Sequence, residues 1–271
     1  TSGNGTTTLT FNYTVGFGHE NSDLEYNSTN ALALNSGTIK DAAGNNVTLT
    51  LPGLGGVGSL ANNKALVIDG VVPKVNSVSA NTIDGYYKAG DTLVVTVAFS
   101  EIVNITGVLQ LVLETGVNNA LILYTGGSGT TTLNFNYIIE SGHNNSDLDY
   151  VNTNSLSLIN GLIRDVAGND ANLTLLEPGS SGSLSANKAL IVDAIIPTVS
   201  SVSSTTLDSI YNIGDTLVIL VNFPETMVVD TSGGKPQLSL ETGSANAVVD
   251  YISGSGSTAL SFHYIIVQDH T

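Results

Sequence analysis

The chain has 271 residues, a length that a prior of roughly 150 residues per domain divides into about two units. Acidic residues outnumber basic ones 23 to 7, giving a formal net charge of -16, while 41% of residues are hydrophobic. The charge sign excludes a phosphate-binding surface of clustered Lys and Arg, and electrostatic attachment to anionic lipid. The apolar content excludes wholesale disorder. The absence of Cys removes disulfides, thiolate metal sites and thiol catalysis. No apolar run approaches the length of a membrane span. The chain begins at Thr1 without Met or a signal-peptide pattern, which predicts an internal or processed piece.

The segments in chain order reveal internal repetition. GTTTLTFNYTVGFGHENSDLEY, from Gly5, returns 124 residues later as GTTTLNFNYIIESGHNNSDLDY, from Gly129. A weaker third copy, GSTALSFHYIIVQDHT, starts at Gly256, a further 127 residues on. ANNKALVIDGVVPKV (from Ala61) returns as ANKALIVDAIIPTV, KAGDTLVVTVAFSE (from Lys88) as NIGDTLVILVNFPE, and QLVLETG (from Gln110) as QLSLETG. The change of shift places a three-residue insertion near Asp230–Pro236. These registers define one complete unit, 74–197. Residues 1–73 match its second half and residues 198–271 its first half.

Each unit reads as all-β. Thr92–Phe99 alternates, with Leu93, Val95, Val97 and Phe99 on one face. Leu109, Leu111 and Leu113 share a face, and Leu133, Phe135, Tyr137 and Ile139 oppose Asn134 and Asn136. Period-2 alternation predicts half-buried antiparallel strands, separated by Gly-rich turns such as those at Gly126, Ala167 and Glu177. No useful helical period appears. Seven or eight short strands per unit suit an immunoglobulin-type β-sandwich, so the expected architecture is tandem Ig-like modules placed end to end.

The combination of GDT followed by an alternating strand and FSE, GSGTTTLNF-Y, RDVAGN, and KALIVD ahead of a Pro resembles the tandem Ig-like repeats of very large bacterial secreted and cell-surface proteins, including giant adhesins. The resemblance covers essentially the whole chain. It implies an extracellular or cell-surface rod, adhesive or structural, without an active site. Fold of this kind leaves the ligand open.

Eight pairs of positions keep an acid in both copies: Asp23/Asp147, Glu25/Asp149, Asp41/Asp165, Asp69/Asp193, Asp84/Asp208, Asp91/Asp215, Glu101/Glu225 and Glu114/Glu241. Duplication and turn capping by Asp explain such retention without any ligand. Strand parity suggests more. The loop with Glu101 and the turn with Asp165 share one pole of a unit, while Asp147, Asp149 and Asp193 lie at the other. In DLD, residues i and i+2 of an extended chain point the same way. One junction is then expected to gather Asp147, Asp149, Asp193 and Glu225, and the preceding one Asp23, Glu25, Asp69 and Glu101. Asp41 and Asp165 are weaker candidates, since the D-x-AGN turn can use its Asp to bind its own backbone. Oxygen-only ligands favour Ca²⁺, which would stiffen the linkers at Pro73 and Pro197.

Catalytic readings find little support. His19 and His143 recur without a G-x-S-x-G nucleophile motif. Asp147 and Asp149 are sequence neighbours rather than a glycosidase pair across a cleft, and no Trp offers a sugar platform. Tyr86, Tyr87 and Tyr211 are the candidates for a carbohydrate-binding surface. Lys64/Lys188 is the one retained Lys pair that an isopeptide crosslink could use. Expected partners are neighbouring copies of the same repeat or chain, with surface glycans as a further option. A competing expectation is a self-assembling filament or sheath, in which residues 198–271 of one chain are completed by residues 1–73 of the next. Both halves carry the strand around Phe11–Tyr13 and Phe262–Tyr264, so such a composite holds one copy too many.

Overall fold

The computed structural model describes residues 2–243 and 245–268; residues 269–271, the end of the third sequence copy, lie outside them. The fold is all-β, with 41% of residues in strands. Among the described residues no helix is long and apolar enough to cross a membrane. The chain divides into two compact units, Thr1–Ala194 and Ile195–Thr271.

In the first unit, the segment ahead of Pro73 contributes β1 (Glu20–Asn21), the single-turn helix α1 (Leu60–Asn63) and β2 (Ile68–Asp69). Strands β1 and β2 pair antiparallel, with Glu20 opposite Asp69. The complete repeat then supplies β3 (Val75–Ala80), β4 (Gly85–Tyr87), β5 (Thr92–Leu113), β6 (Ala120–Gly126), β7 (Thr130–Ile138), β8 (Asn144–Asn145), β9 (Leu156–Arg164), α2 (Leu184–Asn187) and β10 (Leu190–Asp193).

Where the sequence predicts two strands at 92–99 and 109–113, the chain forms one strand of 22 residues. Its first stretch pairs with β3 and β7. Its second pairs with β9 and β6. The intervening residues stay extended because β9 runs alongside from Asn104 to Leu111. Between Ala98 and Val103 the ladder to β7 is interrupted, and Glu101 sits in that interruption. A second, three-stranded sheet has the order β4-β10-β8, with β4 and β10 parallel.

The alternating residues form the core as their period requires. Leu93, Val95, Val97, Leu109, Leu111, Leu113, Leu133 and Phe135 are all fully buried. Full burial of each such side chain is worth about 1.5–3 kcal/mol. Every residue of this core cluster lies between Val75 and Ala194. Residues 2–73 add none, and their own apolar alternation is left open: Phe11 is 64% exposed and Phe17 85%.

The helices α1 and α2 are not legible as periods, because four residues make barely one turn. They occupy equivalent repeat positions. Ser59 and Ser183 cap them, each hydroxyl accepting from the N–H three residues on, of Asn62 and Ala186.

The second unit contains β11 (Ser201–Ser204), β12 (Thr216–Met227), β13 (Gln237–Leu240), β14 (Ala247–Ser253) and β15 (Ser257–Ile265), in the spatial order β11-β12-β15-β14-β13. It reproduces the first half of the complete repeat in register. Leu238 faces Val249 as Leu111 faces Ile122. Its ladder is interrupted between Asn222 and Met227, around Glu225, as the other is around Glu101.

Candidate metal centre

Several of the retained acids hold their own turns. The carboxylate of Asp165 accepts from the N–H groups of Gly168 (2.6 Å) and Asn169 (2.8 Å) and from the Asn169 side-chain amide (2.7 Å). Asp41, in the equivalent turn, accepts from the N–H groups of Ala43 and Asn45 and from the Asn45 side chain. The Asn45 contacts hold Asp41 below the usual aspartate range. Asp91 and Asp215 accept from the N–H groups three residues earlier, of Lys88 and Asn212. Glu114 and Glu241 accept from Gly116 and Gly243. Asp84 accepts from Ala189.

Glu25 and Asp149 have a shared, more specific task. Asp149 is buried and accepts from the N–H groups of Tyr150 (2.9 Å), Gly179 (2.9 Å) and Leu184 (3.3 Å) and from the Ser185 hydroxyl (2.7 Å). It thereby ties the turn before α2 and the first turn of that helix to one carboxylate. Glu25 reaches Tyr26, Gly55, Leu60 and Ala61 likewise. The Asp149 carboxylate is thus taken up by four donors, whereas Asp147 stands exposed. The chain bends at Ser146 and Asp147, so the alternation of an extended strand does not apply there.

Asp69, Glu101 and Asp165 come together. One carboxylate oxygen from each lies within 4.8 Å of the others. Two oxygens each roughly 2.4 Å from a common cation can be no more than about 4.8 Å apart, so the spacing suits a single ion. Asp165 is buried, and Asp69 and Glu101 are half-buried. The three are able to coordinate a divalent cation.

Local structure explains the convergence. Asp69 is at the end of β2, and its carboxylate accepts from the Val71 N–H at 3.1 Å. The following Pro73 and Lys74 are bound to the module: Asn172 N–H donates to the Pro73 carbonyl (2.8 Å), and Ser100 N–H to that of Lys74 (2.8 Å). The Asn169 side chain donates to the Asp69 carbonyl at 3.1 Å. Glu101 projects from the interrupted ladder of β5, and among the described residues no donor reaches its carboxylate.

Electrostatically the group is uncompensated. The ion pairs among the described residues, Arg164–Asp170 and Lys188–Asp84, both lie elsewhere. Burial pushes the Glu101 carboxyl above the usual glutamate range, and the charges of Asp69, Asp165 and Glu20 push it further. Glu20 has no acid at the equivalent position, Asn144, so repeat retention gives no signal for it.

The remaining candidates are placed differently. Asp23 is exposed, with a long contact of 3.4 Å from the Leu66 N–H. Asp193 lies on β10 opposite Asn144. Glu225 belongs to the second unit, on β12.

The recurring histidines are structural. His143 is buried, and its Nδ1 faces the Tyr137 hydroxyl at 2.8 Å and accepts from the Glu140 N–H at 3.2 Å. His19 repeats both contacts with Tyr13 and Gly16. An Nδ1 that accepts a main-chain N–H carries no proton, which fixes the neutral Nε2–H tautomer and makes Tyr137 the donor. Tyr87 and Tyr211 donate to the carbonyls of Ile83 and Leu207, four residues back, leaving Tyr86 as an isolated exposed ring. Lys188 is engaged by the Thr82 carbonyl (2.8 Å) and Asp84 (3.7 Å).

No protein-family model matches this chain, and no curated protein sequence matches it.

Proposed function

We propose that the chain is a stretch of tandem Ig-like β-sandwich modules from an extended extracellular protein, acting as a non-enzymatic adhesive or structural rod whose linkers are stiffened by Ca²⁺. The observation that carries this reading is the origin of the acidic triad. Asp69 comes from the segment ahead of the linker, whereas Glu101 and Asp165 come from the complete repeat. An ion held by all three ties consecutive repeats together across Gly70–Pro73. All donors are oxygens, on loops, a strand end or an interrupted strand, which favours Ca²⁺ over zinc or copper. Affinity in the extracellular range, roughly 10⁻⁴–10⁻³ M, is expected. By repeat equivalence Asp193 and Glu225 correspond in sequence to Asp69 and Glu101. The repeat pattern of the sequence and its resemblance to bacterial surface repeats support the rod.

The test is a crystal structure at millimolar Ca²⁺ with anomalous data. Density roughly 2.3–2.6 Å from oxygens of Asp69, Glu101 and Asp165 is the expected result. A triad free of anomalous signal under those conditions overturns the cation part of the reading.

A further inference from the structure

Inside the complete repeat one strand changes partners and leaves a gap behind it. Residues Ala120–Leu123 of β6 pair with β5, opposite Gln110–Leu113. Its later residues reach β7, with Tyr124 opposite Phe135 and Gly126 opposite Asn134. Past Phe135, β7 continues along the first stretch of β5, with Asn136 opposite Val94 and Ile138 opposite Thr92. The two strands therefore diverge. Among the described residues no strand lies on the other edge of Ala120–Leu123 or of Asn136–Ile138. Hydrogen-bond parity shows which main-chain groups face the gap. Ile139 N–H donates to the Asp91 carbonyl, and the Ile139 carbonyl accepts from Gly90. Alternation along an antiparallel ladder then turns the main-chain groups of Asn136 and Ile138 to the open side.

The gap is a groove of about 420 Å³, within the size range of ligand sites. Its lining includes the buried Ala120, Ile122 and Tyr137 and the exposed Leu121, Ile138 and Glu140. The second unit builds the same groove. Residues Ala247–Leu240 form the β14–β13 pairing up to Asp250 opposite Gln237, and Tyr251 and Ser253 pair with β15. The resulting groove, of about 500 Å³, has Ala247, Val249 and Tyr264 where the first has Ala120, Ile122 and Tyr137. Open sheet edges are ordinarily guarded by Lys, Pro or inward-pointing charge. Strands β6 and β7 carry no charged residue and no Pro. Leu121 and Ile138 are instead 55% and 63% exposed. The first groove is lined by Glu140 and the second by Asp250, and neither by Lys or Arg. Between Lys88 and Arg164 the sequence holds six acids and no Lys or Arg.

We infer that this groove is a docking site for an extended cationic segment of another protein, in which aliphatic residues alternate with Lys or Arg. The segment adds to the edge of β7, and its main chain bonds to Asn136 and Ile138. Its aliphatic side chains turn inward to Ile122 and Tyr137, and its cations lie outward on the side of Glu140. This is strand addition, in which main-chain hydrogen bonds give adhesion and alternate side chains give specificity. Charge decides the partner. A net charge of -16 opposes the approach of a second copy of the chain. Its seven Lys and Arg also stand at least ten residues apart, so none of its own segments offers the required alternation.

The test uses the whole chain in EGTA, so its outcome is independent of a cation at the triad. The probe is a fluorescent, end-capped octapeptide of alternating Lys and Val, titrated by anisotropy at about 0.15 M salt. Saturable binding is the expected result. Methylating the peptide's amide nitrogens keeps every side chain and charge, and should weaken binding about tenfold or more. An octapeptide of alternating Glu and Val should also bind about tenfold more weakly or worse. Hydrogen exchange followed by NMR locates the contact. With the Lys–Val peptide bound, the amides of Asn136 and Ile138 should exchange about tenfold more slowly or less, and that of Ile159 at an unchanged rate. The inference is overturned by an absence of saturable binding, by binding indifferent to methylation or to the sign of the peptide's charge, or by protection that misses both amides. Self-association of the free chain that protects the same two amides overturns it too, in favour of a second copy as the occupant.

Discussion

Asn169 donates its side-chain amide to the main-chain carbonyl of Asp69, one hundred residues earlier, at 3.1 Å. The same amide nitrogen donates to Asp165 at 2.7 Å. One side chain thus fixes both the carboxylate of the module and the strand end that brings the linker's carboxylate beside it. The arrangement positions acids that repel each other: hydrogen bonds hold the carboxylates of Asp165 and Asp69 and the main chain beside them, while among the described residues no donor reaches that of Glu101.

Asn169→Ala should cost about 1–2 kcal/mol, since it removes two hydrogen bonds, one to a buried carboxylate. Asn45→Ala, at the exposed equivalent, should have less effect. Urea denaturation of both variants compares them.

Glu101 gives a pH dependence of defined sign. Its carboxyl in the folded chain titrates above its ordinary value of 4.5, so in the window above that value the folded state holds more protons than the unfolded one. Its contribution to stability is therefore greatest at low pH and is lost as pH rises through the window. Glu101→Gln should stabilise the cation-free chain at neutral pH and converge with the parent near pH 4, as urea midpoints across that range would show. Carboxylates held low by hydrogen bonds, such as Asp230, act oppositely but are common to both proteins.

Asp149→Ala should be severe, about 3 kcal/mol or more, because three main-chain N–H groups and the Ser185 hydroxyl lose a buried charged acceptor. Glu25→Ala, at a more exposed site, should cost distinctly less. Thermal unfolding monitored by circular dichroism separates the two.

Gly161 is opposite Gly107 in the β5–β9 ladder, with φ of +123°. A Cβ there would lie 1.9 Å from the Thr106 carbonyl oxygen. Gly161→Ala should destabilise by about 2 kcal/mol or more. At the equivalent Gly37 a Cβ would meet only the Leu34 carbonyl, at 3.0 Å, so Gly37→Ala should be mild in an isolated chain. Urea midpoints measured in parallel check the contrast.

The strands are legible in the sequence because alternation leaves a direct trace: Leu93, Val95, Val97 and Phe99 are spaced at the period that buries them. The continuity of β5 is not, since Ile102–Val103 and Gly107 break the alternation within Glu101–Val108, a stretch kept extended by β9, a partner fifty residues away. Gathering at the Asp69 junction is legible in part from strand parity, which puts Glu101 and Asp165 at one pole and Asp69 at the adjoining end. Treating Asp165 as mainly a turn residue understates it, because its carboxylate binds the turn and faces the triad at once. Grouping Asp23, Glu25, Asp147 and Asp149 rests on spacing alone. Spacing does not show the helix-turn amides that occupy Glu25 and Asp149, nor the bend that separates Asp147 from its neighbour. The same internal amides account for much of the repeat-fixed charge.

The most direct measurement is differential scanning calorimetry of the chain with Ca²⁺ and with EGTA. At about 10 mM Ca²⁺, an ion held at roughly 10⁻⁴–10⁻³ M adds about 1.4–2.7 kcal/mol, which raises Tm of a unit this size by about 3–10 °C. The shift should reverse on adding EGTA and vanish in Glu101→Gln. A Tm that is the same in Ca²⁺ and in EGTA would contradict the account.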